Sequence, residues 1–162
     1  MDEAGFTEIY NTHADKVYRL CLGYASGDEN LAKDWLQDTF VKVWHHRKSF
    51  KGNSAISTWI YRIAVNVCLA ALKKSRKHAS IDDRIVGMVD KPIQTEDREY
   101  KLSKMYRCID QLTIQNKNLI LLELEDIPQA TIAETLGLAH GAVRTRLSRI
   151  RKALLKCMTH GQ

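Results

Sequence analysis

Arginine and lysine side chains recur along the last amphipathic stretch of this chain of 162 residues. No Asp or Glu occurs after Glu134, so no acidic side chain within this stretch neutralises them. Guanidinium and ammonium groups bind phosphates, and an arginine can also donate two hydrogen bonds to a guanine base. The chemistry that this stretch offers is therefore binding to nucleic acid. Its basic residues are Arg144, Arg146, Arg149, Arg151, Lys152 and Lys156.

Two short helices must position these side chains. Ile132, Ala133 and Leu136 share one face of the first helix, and Val143 follows at a spacing that packs the second helix against it. Gly137 lies where the chain must turn with a positive φ angle, which excludes most other residues. This pattern predicts a helix-turn-helix whose second helix enters the major groove of DNA. By itself, a basic amphipathic helix is also typical of a solvated surface.

The distribution of charge indicates a second basic zone. The formal net charge is +6 and the isoelectric point is near 9.2, which permits a polyanionic partner without requiring one. Between Thr39 and Ile81 there is no Asp or Glu, whereas nine Lys and Arg residues occur there. Acidic residues concentrate at the N-terminus, around Asp28–Asp38 and between Asp82 and Asp126. Acidic material thus separates two basic zones.

The elements that carry both zones are predicted to be helices. With two Pro, eight Gly and 44% hydrophobic residues, the composition favours a helical globular protein. Ser57 is the expected N-cap of the third helix. The stretch 78–96 lacks a helical period and is interpreted as a linker, although its length also fits a surface loop within one domain. The predicted helices are Phe6–Tyr24, Leu31–Trp44, Ser57 to about Lys77, Asp97–Leu112, Ile114–Leu124, Gln129–Leu136 and His140–Met158.

The cysteine positions argue against a metal site. Cys21, Cys68, Cys108 and Cys157 lie far apart, with no C-x-x-C and no histidine at ligand spacing. We expect small, buried, apolar side chains in a reducing compartment, with Cys157 a candidate for exposure at the end of a basic helix. Serines and histidines show no nucleophile–base pattern, so neither an enzyme nor a cofactor is expected. The acidic N-terminus and the lack of about 18 consecutive apolar residues predict a cytoplasmic protein.

Three N-terminal runs closely resemble region 2 of bacterial sigma factors. They are A-K-D-W-L-Q-D-T-F-V-K-V-W at 32–44, F-K-G-N-S at 50–54 and T-W-I-Y-R-I-A-V-N at 58–66. The helix-turn-helix I-A-E-T-L-G-L-A-H-G-A-V-R-T-R-L-S-R-I-R at 132–151 resembles region 4 of the same family. The order and spacing are similar to those of the extracytoplasmic-function (ECF) group. The resemblance covers nearly the whole chain except the linker.

The resemblance implies an all-α protein of two small helical domains joined by a flexible linker. Region 2, a helical bundle that binds core RNA polymerase and the −10 element, would occupy residues 1–77. The linker would span 78–96, and the region 4 helix-turn-helix, which binds the −35 element, would occupy 97–162. The implied function is that of an alternative sigma factor, which directs core polymerase to promoters and assists promoter melting.

The resemblance also assigns roles to particular residues. In this family the second helix docks on the clamp coiled coil of the polymerase β′ subunit, and the 50–54 loop captures an unstacked base of the −10 element. The implied polymerase-binding residues are Asp34, Gln37, Asp38 and Phe40. The implied −10 residues are Lys51, Asn53, Ser54, Arg62, Asn66, Lys73 and Arg76. The implied −35 residues are His140, Arg144, Thr145, Arg146 and Arg149.

Several of these positions fit a plainer interpretation as well. An acidic face on the second helix is equally typical of a helix that packs in the core on one side and faces water on the other. Trp59 or Tyr61 could stack on a separated base, but Trp59 is more typical of a core residue. The loop around Gly52 also fits a structural turn with basic neighbours.

Four positions depart from the family pattern. Lys33 stands where Glu is frequent, and Trp35 stands where a small aliphatic residue is usual, so the docking surface is expected to differ in detail. Thr131 replaces a common Glu at the start of the first helix of the hairpin, which puts any contact there in doubt. His140 replaces Ser or Pro at the start of the second helix and is expected to shift base preference.

The implied partners are core RNA polymerase, contacted at the β′ clamp coiled coil and the β flap, duplex and melted promoter DNA, and an anti-sigma factor. No metal, cofactor or membrane insertion is expected. Two other functions fit the same residues. A stand-alone helix-turn-helix regulator would bind specific DNA tightly without polymerase. A polymerase-binding adaptor would bind polymerase without any promoter preference.

Overall fold

The described part of the chain is helical. The computed structural model describes residues 1–86 and 97–160, and for 76–86 it describes the backbone alone. Within these residues there is no β-strand, which confirms the predicted all-α fold. The helices are α1 Glu3–Tyr24, α2 Glu29–His45, α3 Ile56–Val86, α4 Asp97–Asp110, α5 Ile114–Leu124, α6 Gln129–Leu136 and α7 His140–Thr159, with a short 3-10 helix at Arg47–Ser49.

Helices α1–α3 form the N-terminal bundle. Aspartates cap two of them: the Asp2 carboxylate accepts a hydrogen bond from the Gly5 N–H at 2.8 Å, and the Asp28 carboxylate accepts one from the Asn30 N–H at 3.0 Å. The three helices pack together because each carries an apolar stripe with the helical period. The buried residues of this core include Val17, Leu20, Cys21, Ala32, Val43, Ile60, Ala64 and Cys68.

Helices α4–α7 form the C-terminal bundle. Gly137 ends α6 in the left-handed conformation with a φ of 70°, as the sequence predicts. The Leu138 N–H then donates to the Ala133 carbonyl at 2.9 Å, and this turn lays α7 against α6. The buried residues of this core include Cys108, Ile109, Leu119, Ile132, Val143, Leu147 and Ile150.

The two bundles pack against each other, α1 against α5 and α3 against α6. Gly23 has no side chain where Leu121 crosses α1, and a Cβ there would lie 2.4 Å from the Leu121 Cδ2. The hydroxyl of the buried Tyr24 donates to the Asn118 Oδ1 at 2.5 Å. Close packing and a satisfied buried hydroxyl both stabilise this contact.

The two ends of the third helix differ from the prediction. Helix α3 begins at Ile56, so Ser57 lies inside the first turn rather than at the N-cap. The helix also continues past Lys77 to Val86, because neither Gly nor Pro occurs in this stretch to end it. The remainder of the predicted linker, 87–96, lies outside the described residues.

Part of α3 meets a length-and-hydropathy criterion for a membrane span. Ile56–Ser75 is the one such segment in residues 1–86 and 97–160. The core helix of a soluble protein meets the same criterion. In this segment Ile60, Ala64 and Cys68 are buried, and α3 packs against α1, α2 and α6. Core packing therefore accounts for its apolar character.

Candidate nucleic-acid interface

Helix α7 has one buried face and one basic face. Val143, Leu147, Ile150 and Leu154 are buried in the C-terminal bundle. Every residue implied for the −35 element is exposed on α7: His140, Arg144, Thr145, Arg146 and Arg149. Since α7 contains no acidic residue, this cationic surface suits the phosphate backbone of DNA. The structure thus gathers the predicted −35 set on one helix.

Arg151, although part of the basic run, has a different partner. Its Nε and Nη2 donate to the two carboxylate oxygens of Glu123 in α5, at 2.8 and 2.9 Å. A bidentate pair of this kind fixes α7 on α5. Arg151 therefore orients α7. Glu123 lies 28 positions earlier, and no local pattern in the sequence indicated its role.

The loop 50–54 presents polar groups to solvent. Lys51 and Asn53 are exposed, and Ser54 is half-buried. Gly52 has a φ of 74°, and a Cβ built there would meet no atom within 4 Å. The backbone conformation, rather than crowding, is what favours glycine at this position. The loop turns sharply while its ammonium and amide groups stay accessible.

The aromatic side chains behind this loop differ in how far they are exposed to solvent. Tyr61 is 5% exposed, with its ring 6.2 Å from that of His13, so it has little surface to offer a base. Trp59 is half-buried and packs on Phe50 with ring centroids 5.1 Å apart. In this arrangement the ring of Tyr61 is buried, and its stacking role stays a prediction. Trp59 forms a structural aromatic pair.

Helix α3 brings Arg62 and Asn66 onto one exposed face, and Lys73 is exposed further along. The side chain of Arg76 lies outside the described residues. The guanidinium of Arg62 already has a partner: its Nη2 donates to the backbone carbonyl of Glu134 in α6 at 2.6 Å. The expected −10 surface therefore touches the first helix of the helix-turn-helix.

The residues implied for polymerase docking lie on different sides of α2, which face different neighbouring helices. Three of the four are exposed: Asp34, Gln37 and Asp38. The two aspartates border a groove between α2 and α3, whereas the glutamine borders a groove between α1 and α2. Phe40 is 4% exposed and belongs to the core. The exposed large apolar side chains on this helix are Leu31 and Val41, which the sequence did not single out.

An ion pair joins the bundles near the α1–α5 contact. The Arg19 Nε donates to the Glu125 Oε1 at 2.6 Å. Burial raises the pKa of Glu125 although Arg19 opposes this shift, while the hydrogen bond to Glu125 raises the pKa of Arg19. The loss of hydration thus has a larger effect on the pKa of Glu125 than its ion pair with Arg19. The partners are 106 positions apart, so sequence spacing gave no signal of this contact.

The four cysteines form two pairs. Cys21 and Cys68 are buried thiols, as the sequence predicts, and the structure places their sulfur atoms 3.7 Å apart. Cys108 and Cys157 form a disulfide between α4 and α7. The expected reduced state is wrong for this second pair, because helix packing brings positions 49 residues apart to a Cα separation of 5.9 Å, although Cys108 is buried as expected. Among residues 1–75 and 97–160, whose side chains the structure describes, no cluster of His, Cys, Asp and Glu could hold a metal ion.

Two family models match the chain. The model of Sigma-70 region 2 matches residues 9–78, and that of Sigma-70, region 4 matches residues 102–154. The ECF RNA polymerase sigma-E factor of Haemophilus influenzae is 30% identical over 167 residues, covering 94% of this chain and 87% of that protein. This chain belongs to the ECF sigma factors.

A second relative agrees with that family, and a solved structure agrees with the fold. The ECF RNA polymerase sigma factor SigW of Bacillus subtilis is 28% identical over 168 residues, covering 96% of this chain and 89% of that protein. The fold matches the sigma factor RpoE of Bartonella quintana, solved in complex with the anti-sigma factor NepR, with a TM-score of 0.71 and 20% identity over 98% of this chain and 99% of that one.

The protein is therefore an alternative sigma factor that directs promoter-specific transcription initiation. Sigma factors are non-enzymatic initiation factors. The two other functions that the sequence allowed, a stand-alone regulator and a polymerase-binding adaptor, are not favoured.

Proposed function

We propose that this ECF sigma factor divides promoter recognition between its two ends. Residues 97–162 bind the −35 element as duplex DNA, residues 1–77 dock on core RNA polymerase and read the −10 element, and 78–96 connect the two. The observation that carries the proposal is the exposed basic face of α7, which contains no acidic residue. It has the charge and the helical geometry that a DNA major groove accepts.

For the −35 element, the exposed side chains of α7 take different roles. Arg144 and Arg146 lie in the first turns of the recognition helix, from which side chains reach base edges. Arg149 follows one turn later and contacts phosphate. His140 and Thr145 complete the surface near the start of the helix. Phosphate contacts set the register, and base contacts supply the sequence preference.

For the −10 element, the exposed loop amide and the half-buried hydroxyl receive a base that has left the stack. Asn53 and Ser54 pair with its edge, while Lys51, Lys73 and Arg76 follow the strand backbone. Arg62 and Asn66 extend this surface along α3. Extruding a base costs a few kcal/mol, so the pocket assists melting by binding the unpaired form in preference to the paired one.

The contact between Arg62 and Glu134 has a consequence for this division. While the guanidinium donates to the α6 carbonyl, it is engaged by the C-terminal bundle. Binding of Arg62 to the −10 strand therefore requires its guanidinium to leave this carbonyl. We infer that the packed arrangement is the form without DNA, and that binding to polymerase and promoter separates the bundles.

Polymerase docking involves the exposed carboxylates of α2, with Asp38 as the test position. Charge reversal at an interface costs several kcal/mol in binding, whereas an exposed substitution usually changes stability by under about 0.5 kcal/mol. We expect Asp38→Arg to weaken binding to core polymerase severely in a titration while thermal unfolding is unchanged. Glu8→Arg, an exposed reversal on α1, is the matched control. Equal affinities for both variants would remove Asp38 from the interface.

The remaining partners follow from the family. The C-terminal bundle would contact the polymerase β flap, and an anti-sigma factor would bind the free protein, as NepR binds RpoE of Bartonella quintana. The protein would act in the cytoplasm, where the polymerase is, and would carry out no catalysis of its own.

The central experiment is transcription in vitro with purified core polymerase on a library of random promoter sequences. We expect product to depend on this protein and the selected promoters to share two motifs, upstream and downstream. Selection of a single upstream motif that binds the protein without polymerase would favour a stand-alone regulator. Polymerase binding with no selected motif would favour an adaptor.

A further inference from the structure

The two cysteine pairs lie in different environments. Cys21 and Cys68 are fully buried inside the N-terminal bundle. Their mutual hydrogen bond, together with burial, raises the pKa of the Cys68 thiol far above its ordinary value. An oxidant in solution meets no exposed sulfur there. This pair is expected to remain as thiols.

The second pair lies at the edge of the C-terminal bundle. Cys108 is 1% exposed in α4, whereas Cys157 is half-buried in the last turns of α7. A reagent from solvent therefore reaches Cys157 first, and Cys108 lies behind it. The Cα atoms are 5.9 Å apart, within the range that a disulfide spans without backbone movement. One accessible cysteine with a second one in bonding range is the arrangement of a redox-sensing pair.

We propose that Cys108 and Cys157 are a redox-modification site that takes a hydroperoxide as its oxidant. The Cys157 thiolate attacks one peroxide oxygen, the O–O bond breaks, and a sulfenic acid forms as water leaves. The Cys108 thiolate then attacks the sulfenyl sulfur, the S–O bond breaks, and a second water leaves. Two thiols and one hydrogen peroxide give one disulfide and two waters, so two cysteines are oxidised as the peroxide is reduced.

The position of the bridge determines what oxidation does. The segment between the two cysteines contains α5, α6 and most of α7, which is the whole helix-turn-helix. Closing a loop of 49 residues restricts the unfolded chain and so stabilises the folded bundle. Oxidation would thus lock α4 onto the recognition helix and keep the −35 surface folded under conditions that loosen the reduced form.

Asp110 links this site to the rest of the molecule. It lies two residues after Cys108, its carboxylate accepts a hydrogen bond from Ser26 of the N-terminal bundle, and it pairs with Lys117 at 3.0 Å. The bridge therefore fixes the end of α4 that contacts the α1–α2 turn. Its effect reaches both bundles rather than α7 alone.

The test uses the full chain, fully reduced, then treated or not with hydrogen peroxide, and alkylated in denaturant. We expect four alkylated cysteines before oxidation and two after it, with the remaining two in one disulfide-linked peptide that contains Cys108 and Cys157. The unfolding midpoint of the C-terminal bundle should rise by about 10 °C on oxidation and fall again with dithiothreitol. Four alkylated cysteines after peroxide, or a bridge between Cys21 and Cys68, would overturn the proposal.

Two variants separate the bridge from other effects of peroxide. Cys157→Ser, at the more exposed position, should fold normally and show no rise of the midpoint on oxidation. Cys21→Ser should keep the full difference between oxidised and reduced protein, whatever its own stability. An equal rise in Cys157→Ser would show that the stabilisation does not come from this bridge. These measurements need neither polymerase nor promoter, so their outcome is independent of the proposed promoter contacts.

Discussion

The two surfaces that we propose for promoter DNA are built in different ways. The C-terminal one is a single face of α7, held by a buried apolar stripe and by the pairing of Arg151 with Glu123. The N-terminal one combines the 50–54 loop with α3, and its Arg62 is engaged by the C-terminal bundle. The first surface faces solvent as it stands, whereas the second has its Arg62 guanidinium hydrogen-bonded to α6.

This difference matches the two forms of DNA that the surfaces would bind. Duplex DNA has a fixed groove, so a preformed rigid helix suffices to read it. A melted strand offers separated bases, which a loop with accessible amides can receive one at a time. While Arg62 donates its hydrogen bond to the Glu134 carbonyl, its guanidinium is not free to bind the melted strand. The bundle packing thus offers a reason why duplex binding can precede melting.

The largest expected effect concerns the preformed surface. Arg144→Ala should lower the affinity of the full chain with polymerase for the −35 duplex by about 1–3 kcal/mol and relax its sequence preference, since it removes a base contact. Arg149→Ala should weaken binding to all sequences alike and reduce the salt dependence, since it removes a phosphate contact. Selection from a promoter library measures both. Identical selected sequences for wild type and Arg144→Ala would exclude Arg144 from base reading.

The next effect concerns the loop and α3. Asn53→Ala and Asn66→Ala should each lower open-complex formation by roughly fivefold, as expected for one hydrogen bond of about 1 kcal/mol. Permanganate footprinting measures the opened strand on normal duplex and on a template melted beforehand at the −10 element. The defect should shrink on the melted template. Asn30→Ala, at an exposed site on α2, is the control; a defect of equal size there would assign the effect to the fold.

An effect of similar size tests the link between the surfaces. Arg62→Ala removes the hydrogen bond to the Glu134 carbonyl, worth about 1 kcal/mol, so amide hydrogen exchange in α6 should accelerate by roughly fivefold. Opening at the −10 element should fall in the same variant, while −35 affinity is retained. Lys73→Ala, exposed on the same helix, should leave exchange in α6 unchanged. Unaltered α6 exchange in Arg62→Ala would mean that this contact does not hold the bundles together.

The smallest effect concerns the second interbundle contact. Burial raises the pKa of Glu125 above its unfolded value, so its protonation favours the folded state, and this stability is lost as the pH rises through the folded pKa. Glu125→Gln keeps an acceptor for Arg19, so it should flatten that pH dependence and cost under about 0.5 kcal/mol at neutral pH. Urea unfolding at several pH values measures this. Glu134→Gln, at an exposed position, should leave the profile of the wild type intact.

Much of the fold and of the candidate site could be predicted from local pattern. The bounds of α5 and α6 agree with the prediction, and Gly137 adopts the positive φ that the turn required. The exposed face of α7 followed from its period, because a helix fixes which side chains share a face within a few residues. The start of α3 could not be predicted, since no strong cap marks it, and its end at Val86 was missed although Gly87 follows directly.

The sequence by itself thus determined the helices, the helix-turn-helix and the family, because each depends on residues within a few turns of one another. The tertiary structure alone decided which basic residues are available: Arg151 pairs across 28 positions and Arg62 across 72. It also joined Cys108 to Cys157 across 49 positions. These contacts depend on how whole helices pack, and packing depends on the sum of many weak apolar contacts rather than on any local spacing.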